Sequence, residues 1–475
     1  MKYDVVVIGA GASGMMAAIQ AAKAGATAGS DEKGCKAGKS RVALLEVLAR
    51  PGKKLLITGN GKCNLTNYKL DDSCYHTDSG STEDIMGVIE RFDSKAVTEF
   101  FREEGMLVRD RDGYVYPYSE QASSVLDCLR QCLVKYGVEL ICGCEIDSVK
   151  KSGAEFAISG NLRDAQAENL RAEGKKNENR KPSGNGKKIE NVFIGRLSCV
   201  CKKLIVATGS AAGGVCNQGM AGKGKGVDNS AIGYNIAARF GHHIVKPLPA
   251  LVALGCEGSF FKELAGVRAK GSVRLLIDGK CVASDTGELQ LNDSGISGIP
   301  VFQVSRHAVA ALEAGRRVQA ELDFMPEYNE AELAAYIDKI KDGAHIADAD
   351  KKNGGKSSRQ ELCDILTGLV NKKLMNLLIK QSGGRAGELA GLLKHFTVNV
   401  VQYRDVVSAQ VCSGGVRLDE VDMLTMESKL CHGLYFCGEV LDVDGCCGGY
   451  NLQWAWSSGY AAGNFSLQKK HVSLH

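Results

Sequence analysis

Residues 3–24 read YDVVVIGAGASGMMAAIQAAKA, and the order of residue types in this stretch decides the fold. Tyr3 to Ile8 is a continuous β-branched run, the pattern of a strand buried on both faces. Gly9, Gly11 and Gly14 follow at G-x-G-x-x-G spacing. Met15 to Ala24 is small and apolar and predicts a helix ending at Gly25. Strand, glycine turn, helix is the order of a dinucleotide-binding unit. Gly9 permits the sharp turn, Gly11 lets backbone approach a pyrophosphate, and Gly14 lets helix and strand pack closely. The helix N-terminus offers N–H groups and a positive dipole end to phosphates.

Working outward, Arg41 to Leu45 predicts the second strand, and Glu46 at its end is placed to accept hydrogen bonds from a ribose diol. The distance from Gly14 to Glu46 exceeds the usual ~20 residues, and a polar insert, Thr27 to Ser40, accounts for the excess. That insert contains Gly38-Lys39-Ser40, but Gly34 lies one residue too close for a P-loop and no strand precedes it. Val5 to Ala22 carries no charge. Its glycines, Ser13, Gln20 and the preceding Asp4 argue against a membrane span or export signal, and no other stretch is long enough to span a bilayer.

The 475 residues include 57 Gly, 7 Pro and 18 Cys, with a net charge of +4. Length predicts several domains. The glycine excess, without a collagen period, predicts tight turns and backbone that closely approaches a ligand. The charge balance predicts no nucleic-acid partner. The cysteines are scattered, with no C-x-x-C motif or paired zinc-ligand pattern, so a reduced, cytoplasmic protein with no metal site is expected. His242-His243 read as a helix terminus, and the vicinal Cys446-Cys447 as packing thiols rather than a strained redox disulfide.

Ser119 to Tyr136 is helical in pattern, and Val138 to Cys142 and Leu204 to Ala207 are strands, the latter leading into Thr208-Gly209. Asn161 to Lys188 is a charge-rich loop. Residues 245–325 predict a small β domain with short strands. Residues 328–396 predict helices, including one over Glu361 to Lys380, interrupted by a polar loop at Asp348 to Ser358. Strand signals resume at Val406, and a helix over Leu452 to Phe465 follows. The expected architecture is α/β, a two-dinucleotide-binding flavoprotein with a Rossmann-like FAD domain. That domain is discontinuous, 1–210 and 405–475, with a β-rich plus helical substrate domain inserted at 211–404.

Gly438-Glu439, then Gly448-Gly449-Tyr450-Asn451-Leu452-Gln453, is similar to the second FAD motif of two-dinucleotide flavoproteins. Together with Asp4 to Gly14, Pro51 to Asn67, Gly287 to Pro300 and Thr425 to Lys429, it resembles the YhiN/BaiN-type family of NAD(P)/FAD-dependent oxidoreductases. This family is also described as aminoacetone-oxidase-family FAD-binding enzymes. GKCNLTN and GGYNLQWAWSSG are the most specific runs. The resemblance implies FAD contacts from Gly9, Gly11, Ser13, Gly14, Glu46, the Lys54–Asn64 loop with Thr58, Gly61 and Cys63, the strand near Glu145, Thr208, Gly209, Gly438, Glu439, Asn451 and Leu452. Gly113-Tyr114 stands where the family commonly has an Arg before Val-Tyr-Pro.

One type in this family reduces 3-oxo-4,6-diene bile-acid intermediates, so the resemblance implies NAD(P)H-dependent saturation of an activated C=C bond in an apolar small molecule. No catalytic acid is assigned. Cys63, Asn64, Ser297 and Tyr450 are the polar groups expected over the flavin, and flavin packing or loop capping is the preferred reading of each. No second strand–glycine–helix unit for the nicotinamide is found, since Gly222-x-Gly224-x-Gly226 lacks a preceding strand. Alternatives are a flavin amine oxidase of the aminoacetone type and a non-catalytic FAD-binding or RNA-associated protein.

Overall fold

The computed structural model describes residues 1–28, 40–163, 193–212, 231–344, 352–353, 356–404 and 408–467. The run at Gly222, the charge-rich segment Gly174 to Lys181, and most of the inserts at Thr27–Ser40 and Asp348–Ser358 lie outside the described residues. Two compact units divide the chain: Met1–Pro247 with Val411–His475, and Leu248–Gln410.

At the centre of the first unit is strand β1, Lys2–Ile8, whose Val5, Val6 and Val7 are fully buried. It pairs in parallel with β2, Val42–Leu45, on one side and with the end of the long strand Phe193–Val206 on the other. Strand Leu434–Phe436 extends the same parallel sheet beyond Leu204–Val206, and Glu139–Ile141 extends it beyond β2. The unbroken β-branched run of β1 follows from this position, because both faces of a parallel sheet are covered. The Phe193–Val206 strand is much longer than its sequence pattern predicts. Its first half pairs antiparallel with Glu155–Arg163, which pairs with Cys144–Ser152.

Helix α1, Ala12–Ala28, runs through Gly25 instead of stopping there. Gly25 is a packing position: a Cβ on it would come within 2.5 Å of the Ser40 side chain. On α1 lies the helix Tyr450–Leu467. The approach is close because Gly459 and Gly463 face the α1 backbone, where a Cβ would meet Ser13 O at 2.5 Å and Ala17 O at 2.3 Å. A small antiparallel sheet joins Thr66–Asn67, Tyr114–Pro117 and Val108–Arg111.

The second unit is built on a closed barrel of strands Leu254–Cys256, Gly295–Ser297, Lys280–Asn292, Val267–Ile277, Val318–Asp323 and Phe396–Tyr403. The expected short strands are instead a long hairpin, turned at Asp278-Gly279 with both φ positive (50° and 80°), as a tight two-residue turn requires. The barrel fills with Val273, Leu275, Leu289, Leu291, Ala320 and Leu322. The single helix expected over Glu361 to Lys380 is two, Ser358–Ile365 and Lys372–Ser382. The second begins where the Asn371 side chain accepts the Lys373 N–H, an N-cap that outcompetes continued helix.

Candidate functional site

All the glycine positions of the opening motif are sterically distinguished, in different ways. A Cβ on Gly9, whose φ is 103°, would lie 2.4 Å from Ala207 O, and one on Gly14 would lie 1.8 Å from Gly9 O. Gly11 is the opposite case: a Cβ there meets nothing within 4 Å. Gly9 and Gly14 serve the fold, and Gly11 keeps an opening clear at the N-terminus of α1. Gly209, with φ 73°, is likewise open. Glu46 borders the opening. Its Oε2 accepts the Ala10 N–H at 2.7 Å and its Oε1 accepts the Leu48 N–H at 2.9 Å. Burial raises its pKa, against the lowering effect of these two donors.

The loop after β2 curls back to the glycine turn before α1, with Gly52 N–H on Ala10 O at 2.8 Å. Gly59, Asn60, Gly61 and Cys63 all have positive φ, between 53° and 84°. Such a run turns the chain tightly, with Lys62 N–H on Gly59 O and Cys63 N–H on Thr58 O, while the Thr58 hydroxyl donates to Leu55 O. Cys63 is fully buried and burial pushes its thiol to about 12, so it stays neutral. Asn64 is buried too, and its Oδ1 has no hydrogen-bond partner among the described residues.

Residues distant in sequence complete the cradle. Lys54 Nζ pairs with Glu439 Oε2 at 2.5 Å, and the Ser210 hydroxyl donates to the same oxygen at 3.3 Å. Gly438, φ 77°, leaves room for the Ser13 hydroxyl, which a Cβ would approach to 2.3 Å. Gly449 lies beside Asn64, where a Cβ would stand 3.0 Å from Oδ1. Thr208 abuts Gly9 through its backbone.

Two of the expected cofactor residues have their side chains engaged within the protein. Asn451 turns its amide onto its own loop, accepting from Gly445 N at 2.8 Å and donating to Gly445 O at 2.7 Å. What it and half-buried Leu452 offer is backbone N–H at a helix N-terminus. The Glu145 carboxylate is held by Arg163 Nη2 at 2.5 Å, while the backbone N–H of Cys144 beside it donates to Glu46 O. The Tyr450 hydroxyl donates to Lys69 O at 2.9 Å. Ser297 belongs to the second unit, paired with Gln290 in the barrel.

Sequence reasoning missed the residues that hold these loops. Both tryptophans donate to them: Trp454 to Gly438 O at 3.2 Å and Trp456 to Leu65 O at 2.9 Å. Gln453 accepts from Thr66, and the Ser458 hydroxyl oxygen accepts the Gly438 N–H at 2.9 Å. The only two tryptophans of the chain standing two residues apart in GGYNLQWAWSSG was the available signal.

Other polar clusters are structural. Ser428, His242 and Glu420 line up as a hydrolase triad would, with His242 Nε2 at 2.7 Å from Ser428 Oγ and Nδ1 at 3.2 Å from Glu420 Oε2. The imidazole has no solvent-exposed surface, and Ser428 Oγ already accepts the N–H groups of Leu430 and Cys431. The cluster is a strut. Cys446 and Cys447 are thiols, with Cys446 N–H on Cys74 O. Among the described residues no group of three or more His, Cys, Asp and Glu is arranged to hold a metal, and no helix is long and apolar enough to cross a membrane.

The family described as the HI0933-like protein Rossmann domain matches residues 3–175 and 167–465. The chain is 35% identical to a 3-dehydro-bile acid delta(4,6)-reductase of Clostridium scindens, covering 98% of each chain. It is 28% identical to a ribosomal RNA dihydrouridine synthase of Haemophilus influenzae, covering 96% of each. Among solved structures, the 3-ketosteroid delta1-dehydrogenase of Sterolibacterium denitrificans aligns over 98% of this chain and 99% of that one, at 11% identity and a TM-score of 0.47.

Proposed function

This chain belongs to the HI0933-like Rossmann family, and on that footing we propose that it is an FAD-dependent oxidoreductase reducing an activated C=C bond. Its substrate class is a 3-oxo-4,6-diene of steroid or bile-acid type, and its reductant is NAD(P)H. The observation that carries the reading is the opening at Gly11, kept clear at a helix N-terminus next to the Glu46–Ala10 contact, with the Gly438-Glu439 turn packed against Ser13 of the same motif. The full-length likeness to a bile-acid reductase supports the substrate class.

The chemistry a bound flavin supplies is hydride transfer from the nicotinamide and onto the β-carbon of an enone. Everything else falls to the chain. Gly11 and the first N–H groups of α1 receive the pyrophosphate. Each Glu46 oxygen keeps a second acceptor position for a ribose hydroxyl. Lys54 neutralises Glu439 and leaves Glu439 Oε1 for the ribityl hydroxyls. Asn64 Oδ1, without a partner among the described residues, would accept an N–H of a bound flavin, and the N-terminus of the Tyr450–Leu467 helix would favour negative charge there. Exposed Leu56, Ile57 and Tyr114 on and beside the cradle loop suit an apolar substrate.

The same chemistry suits a second substrate, the C5=C6 bond of a uracil, which is also conjugated to a carbonyl. The likeness to a ribosomal RNA dihydrouridine synthase favours that reading. Anaerobic mixing decides between them. The purified yellow protein is bleached by NADH or NADPH, then offered a 3-oxo-4,6-diene steroid acid or unmodified ribosomal RNA. Recovery of flavin colour on the steroid supports the first reading, and recovery only on RNA replaces it. Bleaching by neither nicotinamide removes NAD(P)H as donor.

A further inference from the structure

On the rim of the cradle loop, three cations share one carboxylate. Lys62 Nζ lies 3.2 Å from Glu120 Oε2, Arg109 Nη1 lies 3.2 Å from Glu120 Oε1, and Arg111 Nη2 also bonds Oε1. Arg109 and Arg111 point to the same face because they alternate along one strand, Val108–Arg111. Lys62 comes from the glycine loop itself. The nearest other acid on that strand, Asp110, is turned away and accepts the Gly113 N–H at 2.7 Å. Arg109 also stacks on the exposed Tyr118 ring, 4.4 Å from its centroid.

One carboxylate leaves a net positive charge on three partly exposed cations, and that charge is open to a further anion. The arrangement is nevertheless built in. Glu120 sits at φ 53°, a left-handed conformation unfavourable for a side chain of its kind, fixed by its N–H on Pro117 O at 2.8 Å. The cations hold its carboxyl below the ordinary range, the Lys62 contact foremost. The cluster borders the cradle: the Tyr116 ring comes within 3.8 Å of the Cβ position of Gly59, and exposed Leu56 and Ile57 lie on the same loop.

We infer that Lys62, Arg109 and Arg111 form a receiving site for the oxyanion, carboxylate or phosphate monoester, of a molecule whose other end reaches the flavin cradle. The inference rests on the reading above and refines it, since an apolar body with an anionic end would lie along exposed Leu56 and Ile57 with its anion on the cations. Two sources share this chemistry: the side-chain carboxylate of a steroid acid, and the 2′-phosphate of NADPH. Planar guanidinium groups suit both, binding them in bidentate fashion.

The test measures binding to the FAD-loaded full chain by calorimetry, separately from turnover. The probes are 3-oxochol-4-en-24-oic acid against its 24-alcohol, and NADPH against NADH. In the native protein, in one of the two pairs the member bearing the additional anionic group binds about tenfold more tightly than its partner, the scale of one charge-assisted contact. That preference shrinks in 0.5 M salt. Arg111→Gln and Arg109→Gln lower the ratio toward one, and Glu120→Gln raises it by removing the internal competitor. Which pair shows the preference identifies the source. Equal binding within both pairs overturns the inference, as does a ratio that Arg111→Gln leaves unchanged, or loss in Arg111→Gln of ribosomal RNA binding alone. Failure of the enone to reoxidise the flavin would strike the proposed function instead, with the binding ratios still measured.

Discussion

Lys54 Nζ and Glu439 Oε2 stand 2.5 Å apart across 385 residues of chain. The contact ties the loop after the second strand to the turn after the strand Leu434–Phe436. Both partners are partly shielded, with side-chain exposures of 34% and 15%. The pair therefore fixes the two loops to each other through Glu439 Oε2.

Glu439→Gln removes the charge that Lys54 meets and weakens one ligand acceptor. The expected outcome is about a tenfold weaker hold on FAD, the scale of one charge-assisted hydrogen bond. Flavin-fluorescence titration of the apoprotein measures it, and an unchanged dissociation constant would remove Glu439 from the site.

The three motif glycines separate fold from binding. Gly14→Ala places a Cβ 1.8 Å from Gly9 O and should unfold or severely destabilise the first unit. Gly11→Ala places its Cβ in open space, so the apoprotein should melt like the native chain while FAD retention falls at least tenfold. Melting curves with and without FAD read both effects. Equal FAD affinity in Gly11→Ala would mean the opening is not where the phosphates lie.

Glu46→Ala and Glu46→Gln should differ. The alanine variant strips acceptors from the Ala10 and Leu48 N–H groups and adds about 2–4 kcal/mol of destabilisation to the loss of cofactor. Glutamine retains one carbonyl acceptor, so it should keep most of the fold and still lose FAD. Flavin content per protein, set beside the urea midpoint, distinguishes these outcomes.

Stability should decline in mild acid through His242. Burial lowers its pKa below 6.5, outweighing the raising effect of Glu420, while the adjacent His243 lowers it further. The unfolded chain takes up this proton near pH 6.5 and the folded chain only at lower pH. Stability is therefore fully present above about 6.5 and is lost as pH falls toward the folded value. The urea midpoint of His242→Gln should change less between pH 7.5 and pH 5.5 than that of the native protein. Parallel changes would assign the acid sensitivity elsewhere.

What could be read directly from the chain was local. Tyr3 to Gly14 carries its own period and punctuation, and Glu46 closes a strand whose pattern is continuous. The Lys54–Glu439 contact was beyond reach as a pair, because nothing in either neighbourhood encodes the other. Both residues were expected at the cradle separately, through resemblance. Asn451 is expected at the cofactor through resemblance, while the clasp of its amide on Gly445-Cys446 is not legible because that loop has no distinctive pattern. In the second unit, alternation marks the strands, but barrel closure by Phe396–Tyr403 depends on pairing with Val318–Asp323. The break before Asn371 was hidden because apolar spacing continues across it while the cap acts locally.

The intimate crossing of Gly459 and Gly463 over Ser13 and Ala17 has a consequence for how this molecule is made. Helix α1 is translated before the barrel unit, and the helix that packs on it, Tyr450–Leu467, is translated after that unit. The barrel can fold while synthesis continues. The α1 face that Gly459 and Gly463 cover therefore has no covering helix until the barrel unit has been made and the Tyr450–Leu467 segment follows it.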